Sequence, residues 1–350
     1  MNTSTFAALP MPVNLALFAG AAALVWIAGI RLTGYAKIIA ERTGAEQAFV
    51  GILLLGAVVS LPEMATTVAA AALGDARLAV NTLLGGIAAT MAILAVTDAL
   101  TGSEALSTDI SHPVVLLQGV LVVLFLTIAG SGIVVGDAAF AGVGIWTALL
   151  FGLYILFILL VKRYGASEPW VARDKRGDDA SKHQPSHRQR SDGRSIAGIS
   201  LRTAAAAAVI LASGFALAVT GEALARQTGL GTSFIGVLLG GIATSLPEVT
   251  TTVAAVRLGQ YEMAFGDAFG TNLFSVMLLF VADVAYAGGP ILNEVDRFSL
   301  FGTLLGILLT GVYLAGFIER RHKAVLGMGL DSLIVLIAYA GGLLVLFTLR

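Results

Sequence analysis

The sequence predicts an all-α polytopic membrane protein of about ten transmembrane helices arranged as two inverted five-helix repeats. Three observations carry that reading. The chain is 57% hydrophobic and only 12% charged, with a mean hydropathy of +0.90, whereas soluble domains have about a quarter of their residues charged. Apolar runs of about twenty residues, the length that spans a bilayer, recur along it. One stretch also occurs twice without a gap, FVGILLLGAVVSLPEMATTVAAAALG over 49–74 and FIGVLLGGIATSLPEVTTTVAAVRLG over 234–259. The self-match puts Glu63 on Glu248, an offset of 185 (248 − 63). At that offset it continues to Asp98 on Asp283, so the repeat covers 49–98 and 234–283, with roughly twenty identities in about fifty positions.

Taken in order, the apolar runs fall at 12–34, 47–73, 78–100, 113–134, 143–162, 197–220, 232–258, 262–286, 298–318 and 326–348. The first follows MNTSTFAALPMPVN, which lacks the basic start of a signal peptide, so a retained helix is expected there. Lys37 and Arg42 follow the first run, Lys162 and Arg163 follow the fifth, and Arg320, Arg321 and Lys323 follow the ninth. Cytoplasmic loops collect Lys and Arg, which places these sides inside and both termini outside. The basic-poor loops 135–142 and 284–296 fall on the other side, with Arg77 and Arg226 as mild exceptions.

Residues 163–196, RYGASEPWVARDKRGDDASKHQPSHRQRSDGRSI, break the composition and divide a first half, 1–162, from a second, 197–350. A solvated, disordered cytoplasmic linker is expected. His183 and His187 in it have helical spacing, a weak metal signal in so polar a segment. The chain has no cysteine, hence no disulfide frame and no thiol nucleophile. On this span count 47–73 runs from inside to outside and 232–258 the reverse. Inverted repeats meeting near the midplane, with substrate bound on broken helices, are a recurrent architecture of secondary transporters.

The chemistry lies in the repeated helices. Glu63 and Glu248 each follow Ser-Leu-Pro inside an apolar run, where an ionised carboxylate is costly unless it meets a partner or a wet cavity. Pro62 and Pro247 remove a backbone donor and free carbonyls upstream. Gly56, Gly240 and Gly241 loosen the same turns, and Ser60, Thr244 and Ser245 add hydroxyls. Carboxylates, carbonyls and hydroxyls together are what calcium or sodium prefers. The following helix of the second copy holds FGDAFGTNLFS, with Asp267, Thr271, Asn272 and Ser275. The first copy sets Thr82, Gly86, Ile87 and Thr90 at those places. Thr66, Thr67, Thr251 and Thr252 are expected to bond mainly to their own helical turns. Asp98 and Asp283, near helix ends, are expected to be solvated and outside the site.

On these motifs the chain resembles the sodium/calcium exchanger branch of the cation/calcium exchanger superfamily. That family's repeat reads Gly-Thr-Ser-Leu-Pro-Glu, then a helix with Gly-Asn-x-x-Gly-Ser-Asn. The second copy, GIATSLPE then GDAFGTN, is close to it, and the first, GAVVSLPE then NTLLGGI, is degenerate. The resemblance covers both repeats and the linker position and implies the sodium/calcium exchanger fold. It implies Glu63 and Glu248 as principal calcium ligands, with Ser60, Thr244 and Ser245 forming flanking cation sites. Where the family carries an Asn or Asp two turns past the Gly-Asn pair, this chain has Thr90 and Ser275. Val59 replaces the motif threonine, Gly86 the first-copy serine, and Asp267 an asparagine. Asp267 is a candidate replacement for the lost acid, and Thr271 completes the candidate ligand set.

The expected function is therefore secondary antiport, most simply sodium/calcium exchange. Two nearby acids repel in a low-dielectric site, and one divalent or several monovalent cations relieve the repulsion. The resemblance implies that the helices over 12–34 and 197–220 slide across the rest to switch access. A proton-coupled calcium or cation antiporter is the nearest alternative, and a degenerate, non-transporting member is another. An intramembrane aspartyl protease is the rival of a different class, because Phe265-Gly266-Asp267 echoes part of Gly-x-Gly-Asp, but Ala264 occupies the first glycine's place. No enzyme activity, cofactor, nucleic acid or protein partner is expected. The expected partners are the lipid bilayer and inorganic cations, and the expected location is a cell inner membrane.

Overall fold

The computed structural model describes residues 9–43, 51–101, 106–110, 113–164, 196–227, 234–319, 324–325 and 327–349. The expected linker lies almost wholly outside them, as do Arg320, Arg321 and Lys323. The first half begins with α1 (Met11–Thr43). A broken segment follows, comprising a π-helical turn (Gly51–Gly56), α2 (Ala57–Val59) and α3 (Leu61–Ala72). Then come α4 (Ala76–Thr101), a 3-10 turn (Leu106–Asp109) and α5 (Pro113–Val135). A short hairpin of β1 (Ala139–Phe140) and β2 (Val143–Gly144) leads into α6 (Ile145–Tyr164).

The second half repeats this plan at the same offset of 185. Its elements are α7 (Ile196–Gln227), α8 (Phe234–Arg257), α9 (Tyr261–Ala285), a 3-10 turn (Ile291–Glu294), α10 (Arg297–Glu319), β3 (Ala324–Val325), β4 (Met328–Gly329) and α11 (Leu330–Leu349). Even the hairpin registers are mates: Ala139 faces Gly144 and Ala324 faces Gly329. The repeat thus spans each half from α1 to α6 and from α7 to α11, well beyond the fifty residues where identity is visible.

Seven of the described helices are each long and apolar enough to cross a membrane. α5 and α10 carry apolar residues all round, the mark of a span rather than a surface helix. α11 leaves Ile337, Leu344 and Phe347 exposed, apolar surface that a bilayer, not water, solvates. α1 outruns its apolar stretch, so Lys37 and Arg42 sit in its last turns rather than in a loop. Hydropathy marks only the part of a helix that lipid covers. Arg77, an exception to the charge pattern, lies 3.9 Å from Asp296 and its cation is matched there.

α9 is the centre of the molecule. Almost every side chain from Met263 to Leu279 is buried, and it packs against the π-helical turn, α3, α4, α5, α6 and α8. α1 and α7 instead pack most extensively on each other and rest on the π-helical turn, α2, α3 and α8. Small residues set those contacts. A Cβ on Gly29 would collide with Thr250 Oγ1, and one on Gly214 would stand 2.7 Å from Pro62 Cγ. These glycines are mates in the repeat (214 − 29 = 185), each touching the proline helix of the opposite half.

Two buried aspartates join the halves, contrary to the expectation that Asp98 and Asp283 are solvated. They are 1% and 0% exposed. Asp98 accepts the Leu106 N–H at 3.1 Å and the Gly329 N–H at 2.8 Å. Asp283 accepts the N–H groups of Ile291 and Gly144, both at 2.8 Å, and the Thr147 hydroxyl. Each therefore ties its own 3-10 turn to the hairpin of the other half, with partners that are themselves mates. The chain folds back over these helix ends, which removes them from water in a way local sequence does not announce.

Candidate functional site

The two proline helices differ. In the first copy the helix breaks at Ser60 and restarts at Leu61, which puts Pro62 in the first turn of α3 where its missing N–H costs nothing. Gly56 brings the broken turn against α9, since a Cβ there would be 2.8 Å from Thr271 N. Its carbonyl accepts the Ser60 hydroxyl at 2.8 Å and the Ser60 N–H at 3.3 Å. The Ser60 oxygen keeps its lone pairs for another ligand. In the second copy Pro247 lies inside the continuous helix α8. The expected break is thus present in the first copy only. Thr250 and Thr251 hydroxyls donate to the Pro247 carbonyl at 2.7 and 3.1 Å, back-bonds within their own helical turn.

Glu63 and Glu248 are both buried, at 7% and 6% exposed, and among the described residues neither has a cationic partner. Glu63 lies between α4 and α9. One oxygen, Oε2, accepts the Ser275 hydroxyl at 2.8 Å. The other, Oε1, lies 2.5 Å from where a Cβ on Gly86 would be. The glycine that replaces the family's serine is the space that this carboxylate occupies. Glu248 Oε2 has no hydrogen-bond partner, and the like charges of Glu63 and Asp267 both lie within electrostatic reach of it.

Asp267 is 1% exposed. Its Oδ2 accepts the Thr251 hydroxyl at 2.7 Å while Oδ1 has no partner. Thr271 Oγ1, Thr67 Oγ1 and both side-chain polar atoms of Asn272 are buried and unpartnered as well. Buried polar groups are ordinarily hydrogen-bonded. An excess of orphaned oxygens around unneutralised acids is what a cation site offers before its ion is counted. Among the described residues no three His, Cys, Asp or Glu side chains are grouped to hold a metal.

Of the other sequence candidates, Thr90 is buried and its hydroxyl donates to the Gly86 carbonyl at 3.0 Å. Ser245 is half-buried on α8. Thr244 lies on the same helix, but its side chain is outside the described residues. Thr66 bonds to its own turn as expected, Thr67 does not, and Thr251 bonds to Asp267 as well as to its own turn. Asn272 is the residue that the sequence reading leaves out of the ligand set. Its mate is Ile87, so the symmetry that exposes the glutamates conceals it.

Comparison with known proteins matches the family model described as sodium/calcium exchanger protein over residues 13–162 and 200–348. The inner membrane protein YrbG of Escherichia coli K12 is 26% identical over 85% of this chain and 86% of that protein. A putative antiporter, CaxA of Alkalimonas amylolytica, is 23% identical over 94% of this chain and 97% of its own. Among solved structures, the sodium-calcium exchanger NCX_Mj soaked with 10 mM sodium and no calcium superposes with a TM-score of 0.71, covering 96% of this chain and 99% of that one at 16% identity. The same exchanger soaked with 2.5 mM sodium and 0.1 mM strontium gives a TM-score of 0.72.

Proposed function

The chain belongs to the sodium/calcium exchanger protein family, and we propose that it exchanges calcium for sodium across a cell membrane, with both ions competing at the interface of its repeats. The observation that carries this is the pair of mated, buried glutamates set among buried oxygens without donors. Glu63 and Glu248 supply the charge that holds calcium. Ser60, Ser275, Thr271, Thr90 and the Asn272 amide oxygen supply neutral ligands for either ion, with Thr244 and Ser245 extending the set along α8. Calcium takes six to eight oxygens in flexible geometry, so a mixed shell of this kind suits it. Asp267 adds a third charge beside Glu248.

Exchange follows when the site changes face only with an ion bound, so that sodium influx drives calcium out. α1 and α7 are placed for that change. They rest on the proline helices through Gly29 and Gly214, and their contact with the rest of the core is slight. In the orientation read from the basic loops, both termini lie outside and the linker 163–196 lies in the cytoplasm. Proton coupling is the second reading, favoured by one observation: Asp267 stands beside a site whose Thr90 and Ser275 carry no charge.

Radioactive calcium uptake tests both. Proteoliposomes loaded with sodium and diluted into sodium-free buffer should take up calcium, and Glu63→Gln and Glu248→Gln should each abolish uptake. Uptake driven only by a proton gradient would replace sodium with protons. Retained uptake in both variants would remove the glutamates from the site.

A further inference from the structure

We propose that an anionic phospholipid binds between α1 and α7, its phosphate held by Arg31 and Arg202 and an acyl chain lying on the apolar wall beside them. The two helices enclose a groove of about 460 Å³, whose walls include Leu24, Ile27 and Val209 and whose floor includes Ala28 and Ala206. Arg31 and Arg202 line it from opposite sides together with Tyr35. Both arginines are exposed, and among the described residues neither makes a hydrogen bond or an ion pair.

The fold does not require these charges. The mate of Arg31 is Ala216 and that of Arg202 is Leu17 (216 − 31 = 202 − 17 = 185), so the equivalent places in the repeat are apolar. The depth of Arg31 fits a headgroup. Asn14 Nδ2 donates to Gln227 Oε1 at 3.2 Å, which fixes α1 and α7 as antiparallel at one end. Arg31 lies some 25 Å along α1 from there at about 1.5 Å per residue, near the far side of a hydrocarbon layer roughly 30 Å thick. A cation at that level is costly unless it reaches the interface or meets an anion. Tyr35 is the amphipathic ring that favours the same level. Leu24 and Ile27, 52% and 49% exposed, open the groove towards lipid rather than water. Basic pockets between helices on the cytoplasmic side are suited to acidic headgroups.

This groove differs from its neighbour. A smaller one of about 320 Å³ on the other side of α1, against α8, has Arg257 as its single cation. One phosphate shared by Arg31 and Arg202 would also tie α1 to α7 and brace them as a unit.

The test is native mass spectrometry of the purified protein with phosphatidylglycerol or phosphatidylcholine, which needs no transport activity and stands apart from the ion reading. Phosphatidylglycerol should bind at least tenfold more tightly than phosphatidylcholine. That preference should vanish in Arg31→Gln/Arg202→Gln, survive in Arg31→Lys/Arg202→Lys, and survive in Arg257→Gln. Inorganic phosphate at millimolar concentration should not displace the lipid. Equal binding of the two lipids, an unchanged preference in the double glutamine variant, equal loss in Arg257→Gln, or displacement by phosphate would each overturn the proposal.

Discussion

Glu63 has room for its carboxylate because residue 86 is glycine. A methyl group there would meet Oε1 at 2.5 Å and push the carboxylate from the place where Ser275 holds it. Gly86→Ala should therefore weaken calcium binding at least tenfold, about 1.4 kcal/mol. The neighbour provides the control. Nothing lies within 4 Å of a Cβ on Gly85, and Gly→Ala in a helix gains about 0.5–1 kcal/mol, so Gly85→Ala should bind normally and melt no lower. Equal effects would mean that the glycines matter only as helix residues. Asp267 permits a similar separation. In Asp267→Asn the side-chain oxygen can still accept from Thr251, so the charge goes while the hydrogen bond stays. Calcium affinity should fall about tenfold with the melting temperature within a few degrees. Unchanged affinity would take Asp267 out of the site.

Among the elements, the mated glycines of α1 and α7 and the mated aspartates at the ends of α4 and α9 offer opposite tests. Gly29→Ala and Gly214→Ala each put a methyl group into the contact with Thr250 or Pro62. Each should slow exchange severalfold in proteoliposomes while leaving equilibrium calcium binding within about twofold. Lost binding would mean that these contacts shape the site itself. Asp98→Asn and Asp283→Asn should do the reverse. Each turns one acceptor of a backbone N–H into a donor, and hydrogen bonds to a charged group contribute about 1.5–3 kcal/mol. Thermal unfolding should drop by several degrees in either variant, by similar amounts because the partners are mates, and calcium affinity should stay within a few-fold. The glutamates were legible in the sequence because charge in an apolar run is conspicuous. The burial of the aspartates is not legible in the sequence, because burial at a helix end depends on what folds over it, here a hairpin from the other half of the chain. The break at Ser60 and the continuity of α8 at Pro247 were likewise beyond a rule that treats both prolines alike.

Across the whole molecule, the span count and the inverted halves follow from hydropathy, loop charge and fifty residues of visible repetition, and the exchanger fold is what the resemblance of the repeat motifs implies. The structure extends that repetition through α5, α6, α10 and α11. Those helices had hidden it, since apolar residues facing lipid exchange freely for one another without disturbing the backbone. The candidate ligand set is only partly legible because the halves diverge around the glutamates: Gly86 against Thr271, Ile87 against Asn272, Thr82 against Asp267. We propose that Glu63 and Glu248, one from each half, hold one exchangeable cation between them. Equilibrium binding of radioactive calcium to the purified protein tests it most directly, with sodium as competitor and Glu63→Gln and Glu248→Gln as variants. The expected result is saturable binding that sodium displaces and that either substitution abolishes. Calcium binding that is indifferent to sodium, or that survives both substitutions in folded protein, would contradict it.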